Sequence, residues 1–328
     1  MVRFAVIGSN FIAERFLEAA KLCDEFTLAG YYSRDKQRAQ EYKQRYNAAM
    51  WFDNLETLAA CKEIDAVYIA SPNSLHYEQA MLMLNAGKNV LCEKTIASNS
   101  HELQLMLKAA NENRVVLLEA MRPIFNPNVT LIRNSLKKLG IIRRATLNYC
   151  QYSSRYDKFK MGVIENAFAP LLSNGALMDI GVYCINVMLY LFGLPRKIQA
   201  AGIQLPDSID GEGTILATYD GMLAELIYSK ITDSQNPSEI QGENGCMHIE
   251  MISNPQKIEI FYKNGAHEIL QIHPQSSDMT YEINTFIRMV TSSQKSGDYN
   301  RYSEMALSIM DEVRSQLHIV FPADRNKL

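Results

Sequence analysis

Short continuous apolar runs punctuate the first part of the chain, and between them lie stretches whose apolar residues recur at helical spacing. A continuous apolar run bounded by turn residues is what a strand buried on both faces needs, and such strands belong to parallel sheets covered by helices. The pattern predicts strands over Val2–Ile7, Thr27–Tyr32, Met50–Phe52, Asp65–Ala70, Asn89–Cys92 and Val115–Ala120. It predicts helices over Phe11–Lys21, Asp35–Tyr46, Leu55–Cys61, Leu75–Asn85 and Asn99–Asn113. Strand–helix alternation of this kind predicts a doubly wound parallel sheet of the Rossmann type, placed at residues 1–122.

After Met121-Arg122-Pro123 the pattern changes. A helix over Val129–Leu139, a strand over Ile142–Tyr152 and an apolar helix over Ala176–Phe192 come first. Strands follow over Ile198–Leu205, Thr214–Tyr219, Leu223–Ile231, Glu239–Gln241, Cys246–Met251, Ile258–Tyr262 and Glu268–Ile272. Asp220-Gly221, Asn244-Gly245 and Asn264-Gly265 are hairpin turn signals. Helices over Thr280–Thr291 and Tyr302–His318 close the chain. Residues 123–328 are therefore expected to form an α+β domain with a large open, mainly antiparallel sheet. The Ala176–Phe192 helix is interrupted by Asp179, Gly181 and Asn186, so it reads as a core helix and not a membrane span.

The net charge of −3 over 328 residues argues against a general nucleic-acid or membrane-surface binder. The densest basic run, Arg133–Arg144, reads as a solvated helix face and strand start. The six cysteines are scattered without a C-x-x-C pair, which fits free thiols in a reducing, cytoplasmic compartment. The six histidines show no metal-ligand spacing and no His/Cys cluster, so no metal is expected. Met1 leads straight into the first strand, and no secretory signal is read there.

The chemistry concentrates at strand ends. The run Asn89–Thr95 is an apolar strand that stops at Glu93 and Lys94, and ligands of open α/β sheets bind outside the carboxyl ends of strands. A lysine placed there can lose its ordinary pKa through desolvation and act as acid or base. The first turn, Gly8-Ser9-Asn10-Phe11-Ile12-Ala13, follows the dinucleotide fingerprint except that Asn10 replaces its second glycine. Asparagine tolerates the left-handed backbone such a turn can require, and the helix start still offers N–H groups to a pyrophosphate. At the second strand tip, Ser33, Arg34 and Arg38, with Lys36, suit the 2′-phosphate of NADP, while Asp35 keeps NAD open. Ser71, Pro72 and Asn73 close the fourth strand, with His76 either a ligand contact or a loop-packing residue. Asp179 and Tyr183 share one helical face, and an unpaired carboxylate in that apolar helix would be costly. Tyr156 and Lys160 form a Y-x-x-x-K, but one that follows a strand and lies outside the first domain, so it is not read as catalytic.

These segments, the Gly8 turn, Ser71-Pro72-Asn73 with His76, Glu93-Lys94, and Gly175-Ala-Leu-Met-Asp179-Ile-Gly181-Val-Tyr183, together resemble the Gfo/Idh/MocA family of NAD(P)-dependent oxidoreductases. Tyr183 stands where many members have histidine, which points to the subgroup that includes dihydrodiol dehydrogenase and NADP-dependent D-xylose dehydrogenase. The resemblance implies hydride transfer between NADP(H) and a secondary alcohol or carbonyl of a sugar, polyol or dihydrodiol. It implies Lys94 as proton carrier opposite Tyr183, and Asp179 orienting Lys94 or a substrate hydroxyl. Glu93 then becomes a nicotinamide-ribose or structural contact, Arg122 a cofactor or substrate contact, and the open sheet face the surface of a homodimer. Two departures stand out. Thr95 replaces the family's proline, so the backbone at Lys94 is expected to differ from the family's cis arrangement. Asn186 replaces an aspartate, so the substrate is expected to be unfamiliar. A nucleotide sensor without turnover and an NAD-dependent inositol or glucose dehydrogenase remain the rival readings.

Overall fold

The computed structural model describes residues 1–274, 277–292 and 296–327. The chain divides into two units, one of residues 1–120 and 277–304, the other of residues 121–276 and 305–328.

The first unit alternates strand and helix: β1 (Val2–Ile7), α1 (Phe11–Ala20), β2 (Phe26–Tyr32), α2 (Lys36–Tyr46), β3 (Met50–Phe52), α3 (Leu55–Ala60), β4 (Ala66–Ile69), α4 (Asn73–Asn85), β5 (Asn89–Glu93), α5 (Ser100–Asn113) and β6 (Leu117–Ala120). The strands make one six-stranded parallel sheet in the order β3-β2-β1-β4-β5-β6. This is the doubly wound order whose switch point lies between the first and fourth strands. Local chemistry sets the helix starts: Asn10, Asp35, Asn54 and Asn99 each accept a backbone N–H three residues on, satisfying a donor the helix itself cannot.

In the second unit, α6 (Arg122–Phe125) and α7 (Pro127–Ser135) lead to β7 (Ile142–Cys150) and α8 (Tyr156–Lys160). A π-turn over Leu177–Gly181 opens α9 (Val182–Phe192). Then come β8 (Lys197–Leu205), β9 (Ile209–Tyr219), β10 (Met222–Ser229), β11 (Ser238–Gly242), β12 (Gly245–Glu250), β13 (Lys257–Tyr262) and β14 (His267–Ile269). Their eight-stranded sheet runs β14-β13-β12-β11-β7-β10-β9-β8, with only the β7–β10 pair parallel. Its inner face buries Ala145, Leu147, Leu226, Ile240, Met247, Ile249, Ile258 and Ile260. Nearly every side chain of α9 is buried, so this helix belongs to the core of its unit. α10 (Thr280–Ser292) and α11 (Gly297–Gln316) complete the chain.

Three expectations are corrected. Residues 277–304 belong with the first unit: Phe286 packs on Phe4 at 5.7 Å, and Asn300 Nδ2 donates to Leu117 O at 3.0 Å. Strand β9 begins at Ile209 and not at Thr214. Its start, Asp210-Gly-Glu-Gly213, is polar and glycine-rich, and Gly213 is there because a Cβ would lie 2.4 Å from the Tyr228 hydroxyl. The two-residue loop between β11 and β12 is Glu243-Asn244, with Gly245 already opposite Gly242. The Tyr156–Lys160 segment forms the short helix α8, after β7 and outside the first unit. Lys160 is exposed there and lies 2.8 Å from Asp157, its pKa raised first by that bond and then by Tyr152.

Candidate active site

In the first unit, register brings the strand ends into line. Ile7 pairs with Ile69 and Ile69 with Cys92, so Gly8, Ala70 and Glu93 succeed one another across neighbouring strands. Gly8 has φ +129, and a Cβ on it would meet Ala70 O at 2.6 Å. Only glycine lets the two backbones come this close.

Asn10 is extended, at φ −108, and not left-handed as its place in the fingerprint suggests. Its Oδ1 accepts Ala13 N at 3.0 Å, and its Nδ2 donates to Ala70 O at 2.8 Å. One amide therefore caps α1 and ties it to β4. The N–H groups of Phe11 and Ile12, in the first turn of α1, keep the positions a pyrophosphate takes at a helix start. At the β2 tip Ser33 is buried, while Arg34, Lys36 and Arg38 are exposed. Asp35 Oδ1 caps α2 by accepting Arg38 N at 3.1 Å. That carboxylate is engaged by the helix, whereas the exposed guanidinium groups beside it suit a phosphate.

Of the two readings left open for His76, the structure shows the packing on the loop. It is fully buried, and its ring nitrogens lie 2.9 Å from Thr95 O and 2.9 Å from Ser71 O. Burial pushes its pKa down, against the opposing pull of the two carbonyls. The imidazole fastens the end of β4 to the segment after β5. Ser71 and Asn73 stay half-buried on that loop, and Ser71 Oγ donates to Gln79 Oε1 at 2.7 Å.

Lys94 is half-buried at the end of β5. Its own N–H donates to Glu93 Oε2 at 3.2 Å, and Glu93 in turn accepts from the Tyr68 hydroxyl. The Lys94–Thr95 peptide is cis, so the departure expected from Thr95 is corrected. Two residues on, Ile96 N donates to Glu119 Oε1 at 3.0 Å, and Ser303 Oγ donates to the other oxygen. Burial raises the Glu119 pKa, against these two hydrogen bonds. Sequence reading passed over Glu119; the signal was a carboxylate inside the apolar strand Leu117–Ala120.

The second unit gathers Arg122, Asp179 and Tyr183. Arg122 Nη2 donates to the Tyr183 hydroxyl at 2.8 Å, and the guanidinium carbon lies 5.4 Å from the ring centre. A phenol accepts and donates at once, so this bond orients the O–H of Tyr183 as a donor. Asp179 pairs with Lys230 Nζ at 2.8 Å. Lys230 is almost completely buried and also donates to Ala167 O at 2.6 Å. Asp179, expected to orient Lys94 or a substrate hydroxyl, thus also engages a lysine of its own unit, another residue the sequence did not single out. Asp210 supports the same turn by accepting Leu177 N, and burial pushes its carboxyl up to about 6. Gly175 passes so near Asp210 that a Cβ would lie 1.9 Å from Oδ1, and a Cβ on Gly181 would lie 3.1 Å from the Tyr228 ring. Asn186 donates to Val182 O within its own helix at 2.9 Å.

Comparison with known proteins places these arrangements. Residues 2–121 match the model of the "Oxidoreductase family, NAD-binding Rossmann fold", and residues 136–248 that of the "GFO/IDH/MocA C-terminal domain". The chain is 47% identical over 327 residues to the scyllo-inositol 2-dehydrogenase (NADP(+)) IolU of Bacillus subtilis, spanning 99% of this chain and all of that one. It is 27% identical to a trans-1,2-dihydrobenzene-1,2-diol dehydrogenase of Danio rerio, over 98% of this chain and 99% of the other. Among solved structures, the 3-ketoreductase KijD10 of Actinomadura kijaniata, with NADP and TDP-benzene, shares the fold with a TM-score of 0.86 at 23% identity, over 96% and 97% of the chains.

Proposed function

The chain belongs to the Gfo/Idh/MocA family of oxidoreductases, and from that premise we propose that it moves a hydride between NADP(H) and a secondary alcohol or carbonyl of a cyclic polyol, of which scyllo-inositol is the first to test. The observation that carries this reading is the seat of Lys94. It follows β5, one strand removed from the nucleotide turn across β4, and its backbone is gripped before and after by Glu93, His76 and Glu119. The full-length identity to an NADP-dependent inositol dehydrogenase supports both the cofactor and the substrate class.

Gly8, Ser9, Phe11 and Ile12 would hold the pyrophosphate, and Ser33, Arg34 and Arg38 the 2′-phosphate. Ser71, Pro72, Asn73 and Glu93 border the ribose and nicotinamide. Bound NADP(H) supplies or accepts the hydride at its C4 position. In alcohol oxidation, Lys94 as a neutral amine takes the hydroxyl proton and becomes an ammonium; in the reverse direction that ammonium returns it. Tyr183, oriented by Arg122, donates its O–H to the substrate oxygen as charge develops there. Asp179, held by Lys230, accepts a neighbouring hydroxyl of the ring. The reading includes a reducing, cytoplasmic setting, which the six free cysteines support, and a homodimer formed through the outer sheet face.

The test is a titration of the protein with NADPH and NADH, followed by NADP-linked turnover of scyllo-inositol, other inositols, aldoses and dihydrodiols. Tighter NADPH than NADH binding, with turnover of a cyclic polyol, is expected. Tighter NADH binding would overturn the Ser33, Arg34 and Arg38 assignment. Turnover of aldoses or dihydrodiols alone would overturn the substrate class.

A further inference from the structure

On the outer face of the eight-stranded sheet, one hairpin brings together three metal-ligand types. Strands β11 and β12 pair so that Glu239 faces His248 and Gln241 faces Cys246. The two-residue period of β12 puts Cys246 and His248 on the outer face, while Met247 and Ile249 are buried in the core. Glu239 Oε1 lies 3.1 Å from His248 Nε2. One donor atom from each of Glu239, Cys246 and His248 lies within 4.8 Å of the other two, and all three side chains are half-buried. The Glu239–His248 hydrogen bond by itself would explain a carboxylate and an imidazole side by side. The Cys246 thiol, two residues before His248 on the same face of β12, hydrogen-bonds Glu239 as well, so all three donor groups converge on one point.

We propose that Glu239, Cys246 and His248 form a three-donor site for a borderline-soft divalent cation of the zinc type, with water as the fourth ligand. Carboxylate oxygen, thiolate sulfur and imidazole nitrogen are the donors such a cation takes in tetrahedral geometry. Their surroundings are those of a built site. Gln241 Nε2 donates to the second oxygen of Glu239, which fixes the carboxylate. Phe261 lies opposite Cys246 on β13, with its ring 4.9 Å from that of His248. The same ring stacks on His267 at 4.6 Å from its other neighbour strand. These rings border the three donors on their β13 side.

Binding replaces the S–H bond of Cys246 with a sulfur–metal bond, and the proton leaves to solvent. The two negative ligands then balance the dication, and His248 enters neutral. Affinity therefore rises with pH until the thiol proton no longer competes. The site ties β11 to β12 and takes no part in hydride transfer, so its test is separate from that of the reaction, although it lies on the sheet face proposed for the homodimer.

The experiment uses the full chain, freed of metal. Zinc(II) is titrated in competition with a chromophoric chelator, and cobalt(II) serves as the spectroscopic probe. One zinc per chain is expected, along with a thiolate-to-cobalt charge-transfer band. Cys246→Ser should abolish the band, and His248→Ala and Glu239→Gln should each weaken zinc at least about tenfold. Cys61→Ser, elsewhere in the chain, should change neither reading. Glu239→Gln keeps the side chain's size, so its result stands even if a Cys246 or His248 variant folds poorly. Absence of stoichiometric zinc binding, a band that survives Cys246→Ser, or affinity unchanged in Glu239→Gln would overturn the site.

Discussion

Glu119 in the first unit and Asp210 in the second are buried carboxylates that each accept a backbone N–H beside the functional segment, and the two are satisfied differently. Glu119 accepts from Ile96 N, two residues past Lys94, and from the Ser303 hydroxyl on its second oxygen. Asp210 accepts from Leu177 N, two residues before Asp179, but among the described residues its Oδ1 has no hydrogen-bond partner. Burial raises the pKa of both. The lesson concerns what each support holds. In the first unit, His76, Glu93 and Glu119 grip the backbone around Lys94, so the lysine side chain can be removed without releasing its seat. In the second, Arg122 and Lys230 grip the side chains of Tyr183 and Asp179 directly, so each support is tied to the function of one group.

The largest effect expected of breaking this comparison falls on Lys94 itself. Lys94→Ala should lower kcat by about a thousandfold, the range of a lost proton carrier, with NADPH affinity and Tm close to wild type. Undiminished turnover would remove Lys94 from the mechanism, and a large Tm loss would show that its seat depends on the side chain. Next comes pH. The Asp210 carboxyl rises from its ordinary 3.8 to about 6, which corresponds to roughly 3 kcal/mol. A raised carboxyl pKa means that the folded state holds the proton more tightly. The stability this contributes is complete below the unfolded value, is lost as pH rises through about 6, and is flat above. Measured by denaturant unfolding, wild type minus Asp210→Asn should therefore be more favourable at pH ~4 than at pH ~7 by about that amount. A difference independent of pH would show that Asp210 is not buried as an acid.

Glu119→Ala should cost about 2 kcal/mol of stability by stranding the Ile96 N–H and the Ser303 hydroxyl. Because Glu119 acts through the backbone, kcat should fall with it. A stability loss with kcat intact would mean that the first unit does not position Lys94 in this way. The smallest effect is expected for Arg122→Gln. Loss of the charged donor to Tyr183 should reduce kcat about tenfold with little change in Tm, and the pH profile of kcat should shift with it. An unchanged profile would limit Arg122 to packing on the Tyr183 ring.

Much of this was legible in the residues. The six strands of the first sheet followed from apolar runs, because a strand buried on both faces has no solvent side to encode. The open sheet of the second unit followed from alternation and turn residues, apart from the start of β9, where Asp210 and two glycines concealed a strand. The motif glycines were visible as motif positions. Their reason, Asp210 against Gly175 and Tyr228 against Gly181, was not visible, because both neighbours lie well downstream in the chain. Lys230 looked like an ordinary strand-end lysine, and Glu119 like a minor interruption of an apolar run. Burial alone distinguishes them from surface charges.

The sequence by itself determined the alternating architecture, the glycine turn after β1 and the strand end at Lys94, all of which depend on spacing within a few residues. Tertiary structure decided the partners: His76 with Thr95, Glu119 with Ile96, Lys230 with Asp179, Arg122 with Tyr183, and Cys246 and His248 with Glu239. The physical reason is that a buried polar group must find a partner or bear its desolvation cost. The partner it finds is fixed by sheet order and register, which bring together residues far apart in the chain.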